Sequence, residues 1–142
     1  ANVLVIGGSG FVGRHIVDAF RQVSNIDLTV SSHRPTKDGG LKLDFSDFVF
    51  PDRSFDLIVN AAGYGVVKTE TDPVRMMAVN YFGAAQFSHA IVASMKGRRE
   101  GTILFVSSQA GLMGVYGFGA YSASKFALRG LAESLAMEVL FV

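Results

Sequence analysis

The chain has 142 residues, a net charge of +1 at pH 7, almost half hydrophobic residues and no cysteine. This length suits one domain with its own core, and the balanced charge gives no reason to expect a nucleic acid as partner. The lack of cysteine excludes disulfides and a cysteine nucleophile and fits a reducing compartment, so we expect a cytoplasmic protein. No apolar run approaches the ~20 residues of a membrane-spanning helix. His15, His33 and His89 lie far apart without carboxylates at ligand spacing, so no metal site is expected.

The first third of the chain alternates short apolar runs with turns. Val3–Ile6 predicts a buried strand, which ends in a glycine-rich turn, Gly7-Gly8-Ser9-Gly10-Phe11-Val12-Gly13. Apolar residues at helical spacing then predict a helix over Phe11–Val23. Three further strands are predicted at Ile26–Val30, Leu41–Phe45 and Phe55–Asn60.

The second half contains two long helical stretches around one strand. Asp72 and Pro73 form a good helix start, and that helix is predicted to continue to about Met95. A fifth strand follows over Thr102–Ser107, and a last helix runs from about Tyr121 to Val139.

Strands that alternate with helices predict an α/β fold, a doubly wound parallel sheet of about five strands in a single domain over residues 1–142. Two connections are too short for helices of ordinary length, residues 33–40 and residues 46–54. We therefore expect one face of the sheet to be incompletely covered.

The glycine-rich turn follows a strand and opens a helix, which is the context in which such a turn binds a dinucleotide. Glycines let the backbone approach a pyrophosphate, and the helix N-terminus supplies N–H groups and the positive end of its dipole. The alternative is that the glycines serve only as turns. The cofactor contacts expected here come from Gly7, Ser9, Gly10, Phe11, Val12 and Gly13.

The end of the second strand should face the adenosine ribose of the cofactor. It reads Ser31-Ser32-His33-Arg34 and carries no acidic residue that would bind ribose hydroxyls. Arg34, with Ser31 beside it, could pair with a 2′-phosphate, which favours NADP(H) over NAD(H), although an ordinary loop arginine is the alternative. Asp44 could cap a turn or accept from the adenine amine. Small residues that let the cofactor lie across the fourth strand's end are Asn60, Ala61, Ala62 and Gly63.

A possible acid–base pair lies on the last predicted helix. Tyr121 and Lys125 are four residues apart and therefore share one helix face. A free tyrosine titrates near pH ~10, and a nearby ammonium stabilises the phenolate, which makes a tyrosine usable as a general acid or base. Ser108, at the end of the fifth strand, can hydrogen-bond a substrate carbonyl. Alone, Tyr-x-x-x-Lys is a common surface pair; the glycine turn and Ser108 favour a catalytic one.

These features occur in an order and spacing that resembles the short-chain dehydrogenase/reductase family, and they include Asn80-Tyr81-Phe82-Gly83. Two segments, Gly101–Gly111 and Gly117–Val139, are more similar still to the 3-ketodihydrosphingosine reductases of that family. Those enzymes reduce the ketone of a long-chain sphingoid base with NADPH. The resemblance implies a Rossmann-type fold and a small-molecule carbonyl or alcohol substrate.

The resemblance also implies roles for four residues. Tyr121 would donate a proton to a carbonyl as the nicotinamide delivers hydride, and Lys125 would lower the tyrosine pKa and hold the nicotinamide ribose. Ser108 would polarise the carbonyl, and Asn80 would anchor a water in a proton relay. The resemblance further implies a homodimer or homotetramer through the helices around residues 72–95 and 121–139. It also implies that the protein could be located at the cytosolic face of a membrane.

Three features depart from the family pattern. Gly7, Gly10 and Gly13 have the spacing of extended, epimerase-like members, and Ile6 stands where the family usually has threonine. The two short crossovers resemble small atypical members. The family continues with a further strand and a substrate lid that this sequence does not contain, so we expect it to be incomplete at its C-terminal side. The alternative interpretations are a non-catalytic NADP(H)-binding module, a fragment that does not fold stably alone, and an extended-type epimerase.

Overall fold

The computed structural model describes residues 1–32, 41–42, 52–65 and 72–140. The chain forms two compact units. The first unit comprises Ala1–Ala62 with Ala90–Val106, and the second comprises Gly63–His89 with Ser107–Val142. The assignment of residues 1–142 to a single domain therefore stays a prediction.

Five strands form the sheet of the first unit: β1 (Asn2–Ile6), β2 (Asp27–Ser32), β3 (Leu41–Lys42), β4 (Leu57–Asn60) and β5 (Thr102–Phe105). They are all parallel, in the order β3-β2-β1-β4-β5. This confirms the predicted Rossmann-type, doubly wound sheet of five strands. The winding reverses so that β1 and β4 are neighbours, and ligands of open α/β sheets bind where the carboxyl ends of two such strands meet.

The helical elements are α1 (Phe11–Arg21), α2 (Pro73–Met77), a π segment (Ala78–Phe82), α3 (Gly83–Arg98), a 3₁₀ turn (Gln109–Gly111) and α4 (Gly119–Leu140). The predicted start at Asp72 is confirmed, because its Oδ1 accepts a hydrogen bond from the Arg75 N–H at 2.9 Å. The sequence pattern predicted one uninterrupted helix from there and missed the π segment. None of the helices in the described ranges combines the length and hydropathy that crossing a membrane requires.

Both faces of the sheet bury apolar side chains in the first unit. Val3, Val5 and Val59 form one cluster with Val17 of α1, because alternate strand residues point to the same face. On β5, Leu104 pairs with Val59 and lies on that same face, yet it is 51% exposed. The expected incomplete cover of one face is therefore visible at the β5 edge.

The second unit is helical and is built around α4. The elements α2, the π segment and the 3₁₀ turn all pack against this helix. Its buried apolar side chains include Met76, Phe87 and Leu128. Because α4 carries the predicted acid–base pair, this packing fixes the backbone on which Tyr121 and Lys125 lie.

We expect Gly97→Ala to stabilise the chain by about 0.5–1 kcal/mol. Gly97 lies in α3, is exposed, and an added methyl group would meet no atom within 4 Å. The substitution should therefore only reduce the conformational freedom of the unfolded chain. Urea unfolding of the variant and the parent measures the difference, and a loss of stability would show that residue 97 is in contact with something the structure does not contain.

Candidate active site

The glycine turn closes tightly on the end of β4 within the first unit. Gly7 has φ +77°, and its N–H and that of Gly8 both donate to the carbonyl of Ser31 at 3.0 Å. A Cβ atom added at Gly7 would lie 2.7 Å from Cα of Ala62. Real side chains do not tolerate that distance, so only glycine allows the carboxyl ends of β1 and β4 to approach this closely.

The first turn of α1 offers unpaired backbone donors. Gly10 is the N-cap residue, and within the described part of the chain no side chain caps this helix. The N–H groups of Phe11, Val12 and Gly13 have no acceptor inside the helix, since the first turn of any helix lacks one. A Cβ atom at Gly13 would overlap the carbonyl oxygen of Gly7. These residues therefore fit a pyrophosphate group, whose binding requires backbone N–H groups without another acceptor and a close approach of the backbone to the phosphates.

Two serines at the end of β2 support the turn in different ways. The hydroxyl of Ser9 hydrogen-bonds that of Ser32 at 2.6 Å. Ser31 instead contributes its carbonyl, because its hydroxyl is fully buried and has no hydrogen-bond partner among the described residues. The predicted contacts from Arg34 and Asp44 lie outside the described residues and stay predictions.

The end of β4 is held by a local side-chain turn. Oδ1 of Asn60 accepts from the Ala62 N–H at 3.2 Å, and the Ala61 N–H donates to the carbonyl of Ile6 at 2.9 Å. Asn60 itself is 2% exposed. The Asn60 side chain thus shapes the end of β4. Contact of Asn60, Ala61 and Ala62 with a cofactor stays a prediction.

In the second unit, Tyr121 and Lys125 lie on the same side of α4, as their spacing predicts. The Lys125 Nζ atom is 5.8 Å from the centre of the Tyr121 ring, within range of a cation–π contact. Lys125 is only 4% exposed, and this burial lowers its pKa because it disfavours the charged ammonium. A cationic group removed from water in this way acts strongly on nearby charge.

The segment Gly63–Gly65 lies against this pair. A Cβ atom at Gly63 would be 3.6 Å from Lys125 Nζ, and one at Gly65 would be 3.0 Å from Cε2 of Tyr121. The glycine at position 65 therefore leaves room for the edge of the tyrosine ring.

Ser108 begins the 3₁₀ turn that packs on α4. Its Oγ accepts from the Ala110 N–H at 3.2 Å, which leaves the hydroxyl hydrogen to donate to a ligand. The turn lies close to the helix, since a Cβ atom at Gly111 would be 3.0 Å from the carbonyl oxygen of Lys125. Ser108 is thus held on the backbone that also carries the lysine.

Asn80 is buried in the π segment. Its side chain binds the backbone of Tyr64 and the side chain of Ser124 in α4. Its Oδ1 accepts from the Tyr64 N–H at 2.7 Å, and its Nδ2 donates to the Tyr64 carbonyl and to Ser124 Oγ, both at 2.9 Å. Both amide hydrogens are therefore used, so they cannot hold the water that the family resemblance implies. That water role stays a prediction for the remaining groups of Asn80.

The structure thus gathers the predicted residues in two places. The first unit holds the turn residues with Ser31 and the end of β4; the second unit holds Gly63, Asn80, Ser108, Tyr121 and Lys125. Sequence reasoning missed Ser124 and the backbone of Tyr64. A serine in a helix interior is a weak signal, because serine is a poor helix former. In the described ranges, no three His, Asp or Glu side chains cluster in a way that could hold a metal ion.

The family model described as short chain dehydrogenase matches residues 50–140, which is more than half of the chain. The chain belongs to the short-chain dehydrogenase family. It is 53% identical over 89 residues to 3-ketodihydrosphingosine reductase of Bos taurus, which corresponds to 59% of this chain and 27% of that protein. The chain therefore spans about a quarter of the length of that bovine relative.

Solved structures agree on the fold. A short-chain dehydrogenase from Streptomyces avermitilis superposes with a TM-score of 0.83 at 28% identity and covers 98% of this chain, which spans 60% of that one. ElxO with NADP bound superposes with a TM-score of 0.85 at 22% identity, covering 98% of this chain and 68% of that one. The second likeness shows the fold alone. Membership of the short-chain dehydrogenase/reductase family, expected from the motifs, is confirmed.

In this short-chain dehydrogenase we expect Lys125→Met to raise the free energy of unfolding by about 0.5–2 kcal/mol near neutral pH. Burial lowers the Lys125 pKa, so between that pKa and the ordinary value near ~10.4 the folded chain binds fewer protons than the unfolded chain. The parent's stability therefore rises with pH across this window, and the full cost of the buried ammonium is present below it.

Urea unfolding of parent and variant near pH ~7 and pH ~10 tests this, because the advantage of the variant should shrink as Lys125 of the unfolded parent loses its proton. Lys96→Met, the same substitution at a partly exposed position of α3, is the matched control variant. An advantage that grows with pH would contradict the sign.

Proposed function

We propose that the chain reduces a ketone to an alcohol with NADPH, with Tyr121 as the general acid. The observation that carries this proposal is the buried Lys125 beside the Tyr121 ring on one face of α4. A buried ammonium is costly to the fold and is a common mark of a site that stabilises developing charge.

The backbone of the glycine turn and of the first turn of α1 would hold the cofactor pyrophosphate. The preference for NADP(H) is supported by the uncharged pair Ser31-Ser32 at the end of β2, which offers no carboxylate to ribose hydroxyls, and by Arg34 just beyond it. When bound, the reduced nicotinamide supplies the hydride.

The proton would come from the Tyr121 hydroxyl. The ammonium of Lys125 stabilises negative charge as it develops on the phenol oxygen, and burial of the lysine strengthens that interaction. Ser108 would donate its hydroxyl hydrogen to the substrate oxygen, since its bond with the Ala110 N–H uses only a lone pair of Oγ and not that hydrogen. Together these residues would polarise and protonate the carbonyl that becomes the alcohol.

The proposed substrate is a long-chain ketone of the sphingoid-base type. The similarity to a 3-ketodihydrosphingosine reductase supports this choice. The chain also has no charged residue between Glu100 and Lys125, and that stretch exposes Leu112, Met113 and Val115. Exposed apolar side chains without neighbouring charge suit an alkyl chain better than a sugar or a nucleotide.

A homodimer or homotetramer through α2, α3 and α4 is supported by the exposed apolar side chains of Val74, Phe82 and Phe126 on those elements and the π segment. A cytoplasmic location, or the cytosolic face of a membrane, is supported by the lack of cysteine and by the resemblance.

Fluorescence titration with NADPH and NADH, followed by absorbance assays with 3-ketodihydrosphingosine, tests the proposal. We expect saturable binding at least about 10-fold tighter for NADPH, worth about 1.4 kcal/mol, and substrate-dependent NADPH consumption. Binding without consumption would favour a non-catalytic NADP(H)-binding module, and turnover of a nucleotide sugar with retained cofactor would favour an epimerase. Binding of neither cofactor would contradict every form of the proposal.

A further inference from the structure

Ser124 is a fully buried residue of α4, and it is not one of the site residues predicted from the sequence motifs. It immediately precedes Lys125. Its hydroxyl accepts from Asn80 Nδ2 at 2.9 Å and donates to the carbonyl of Tyr121 at 2.7 Å. The hydroxyl hydrogen and one lone pair of Ser124 Oγ are thus engaged, and one of the two bonds is to the backbone of Tyr121, the residue proposed to deliver the proton.

The Ser124 hydroxyl completes a continuous chain of hydrogen bonds. The backbone of Tyr64 is held at both its N–H and its carbonyl by Asn80, and Asn80 is held by Ser124. The chain therefore joins the segment Gly63–Gly65, the π segment and the first turns of α4. Since Asn80 and Ser124 are both buried, the bond between their side chains is shielded from water, while the two bonds to the Tyr64 backbone are part-buried.

The position of the reacting groups depends on this chain. Gly65 faces the Tyr121 ring and Gly63 faces Lys125 Nζ. Without the Ser124 hydroxyl, one amide hydrogen of Asn80 is left buried and unpaired, so the amide must turn or shift to find a partner. That shift weakens the two hydrogen bonds by which Asn80 holds the Tyr64 backbone, and with them the position of the segment Gly63–Gly65, which borders Tyr121.

We propose that Ser124 is a positioning residue. It acts through Asn80 and the Tyr64 backbone to hold the segment Gly63–Gly65 against Tyr121 and Lys125. The inference rests on the proposed function, because it concerns the geometry of the same proton transfer. Small misplacements of a reacting group can cost about 100-fold in rate. Because Gly63 is an expected cofactor contact, cofactor affinity should change a little, by no more than about 2-fold and far less than kcat, since the glycine turn and α1 take no part in the hydrogen-bond chain.

The matched control is Ser88→Ala. Ser88 is also buried in a helix of the second unit, and its hydroxyl donates to the carbonyl of Ala84 at 2.7 Å, with no bond to Asn80.

With 3-ketodihydrosphingosine and NADPH, we expect Ser124→Ala to lower kcat about 10- to 100-fold and to shift the pH profile of kcat. The KM for NADPH should stay within about 2-fold, and Ser88→Ala should leave kcat within about 2-fold. Ser124→Thr, which restores the hydroxyl, should recover part of the loss.

An unchanged kcat in folded Ser124→Ala, or equal losses in the Ser88 and Ser124 variants, would overturn the proposal. If the parent chain does not consume NADPH, the proposed function fails, and Ser124 is then judged without turnover. Amide hydrogen exchange at Tyr64 should change in Ser124→Ala and not in Ser88→Ala. Identical exchange in both variants would overturn the positioning role on its own.

Discussion

Replacing Tyr121 by phenylalanine is expected to reduce NADPH consumption with 3-ketodihydrosphingosine by about 100-fold or more. The substitution keeps the aromatic ring and therefore its contacts with Phe118, whose ring centre lies 6.2 Å away, and with Lys125 Nζ. It removes only the hydroxyl that is proposed to donate the proton. Initial rates of NADPH absorbance loss measure the effect, while a fluorescence titration should give the parent affinity for NADPH.

Tyr116→Phe is the control for this experiment. Tyr116 is a fully exposed tyrosine in the same unit, so loss of its hydroxyl should leave both the rate and the affinity unchanged. Equal losses of rate in the two variants would show that Tyr121 has no special part in the reaction. An unchanged rate in Tyr121→Phe would transfer the proton donation to another group.

Gly13→Ala should abolish measurable NADPH binding and destabilise the chain by about 2–3 kcal/mol. The added methyl group would overlap the carbonyl oxygen of Gly7, so either the turn or the start of α1 must move. Movement there displaces the N–H groups proposed to bind the pyrophosphate. Urea unfolding and fluorescence titration of the variant measure the two effects separately.

Gly97→Ala is the matched control for Gly13→Ala, because both are helix glycines of the first unit and only one is crowded. It should bind NADPH like the parent and be slightly more stable. If Gly13→Ala keeps parent affinity for NADPH, the glycine turn is only a turn and the proposed pyrophosphate site is wrong.

Several features of the fold follow from short stretches of sequence. Val3–Ile6 with the following glycines predicts β1, the turn and the start of α1, because strand, turn and helix signals are all local there. The Asp72-Pro73 start is equally local and is confirmed by the Arg75 N–H bond to Asp72. Helix ends are less well predicted: α1 ends at Arg21 rather than Val23, and α4 begins at Gly119 rather than Tyr121.

The π segment was not predictable, because apolar spacing over residues 72–95 is consistent with an uninterrupted helix. In the structure Asn80 lies inside this segment and forms hydrogen bonds with residues 16 and 44 positions away in the chain. Such bonds depend on elements that are distant in sequence. The same reason explains why Ser124 was missed, while its neighbours Tyr121 and Lys125 were found by their spacing.

By itself, the sequence determined the α/β class, the glycine turn and the candidates Ser108, Tyr121 and Lys125, since each depends on residue types at short, fixed spacings. Only the tertiary structure decided which side chains are out of water and what they bond. It placed Lys125 in a buried position that lowers its pKa, and it used the amide hydrogens of Asn80 for Tyr64 and Ser124. Burial and long-range hydrogen bonds arise from the packing of separate elements, and no spacing along a single chain encodes them directly.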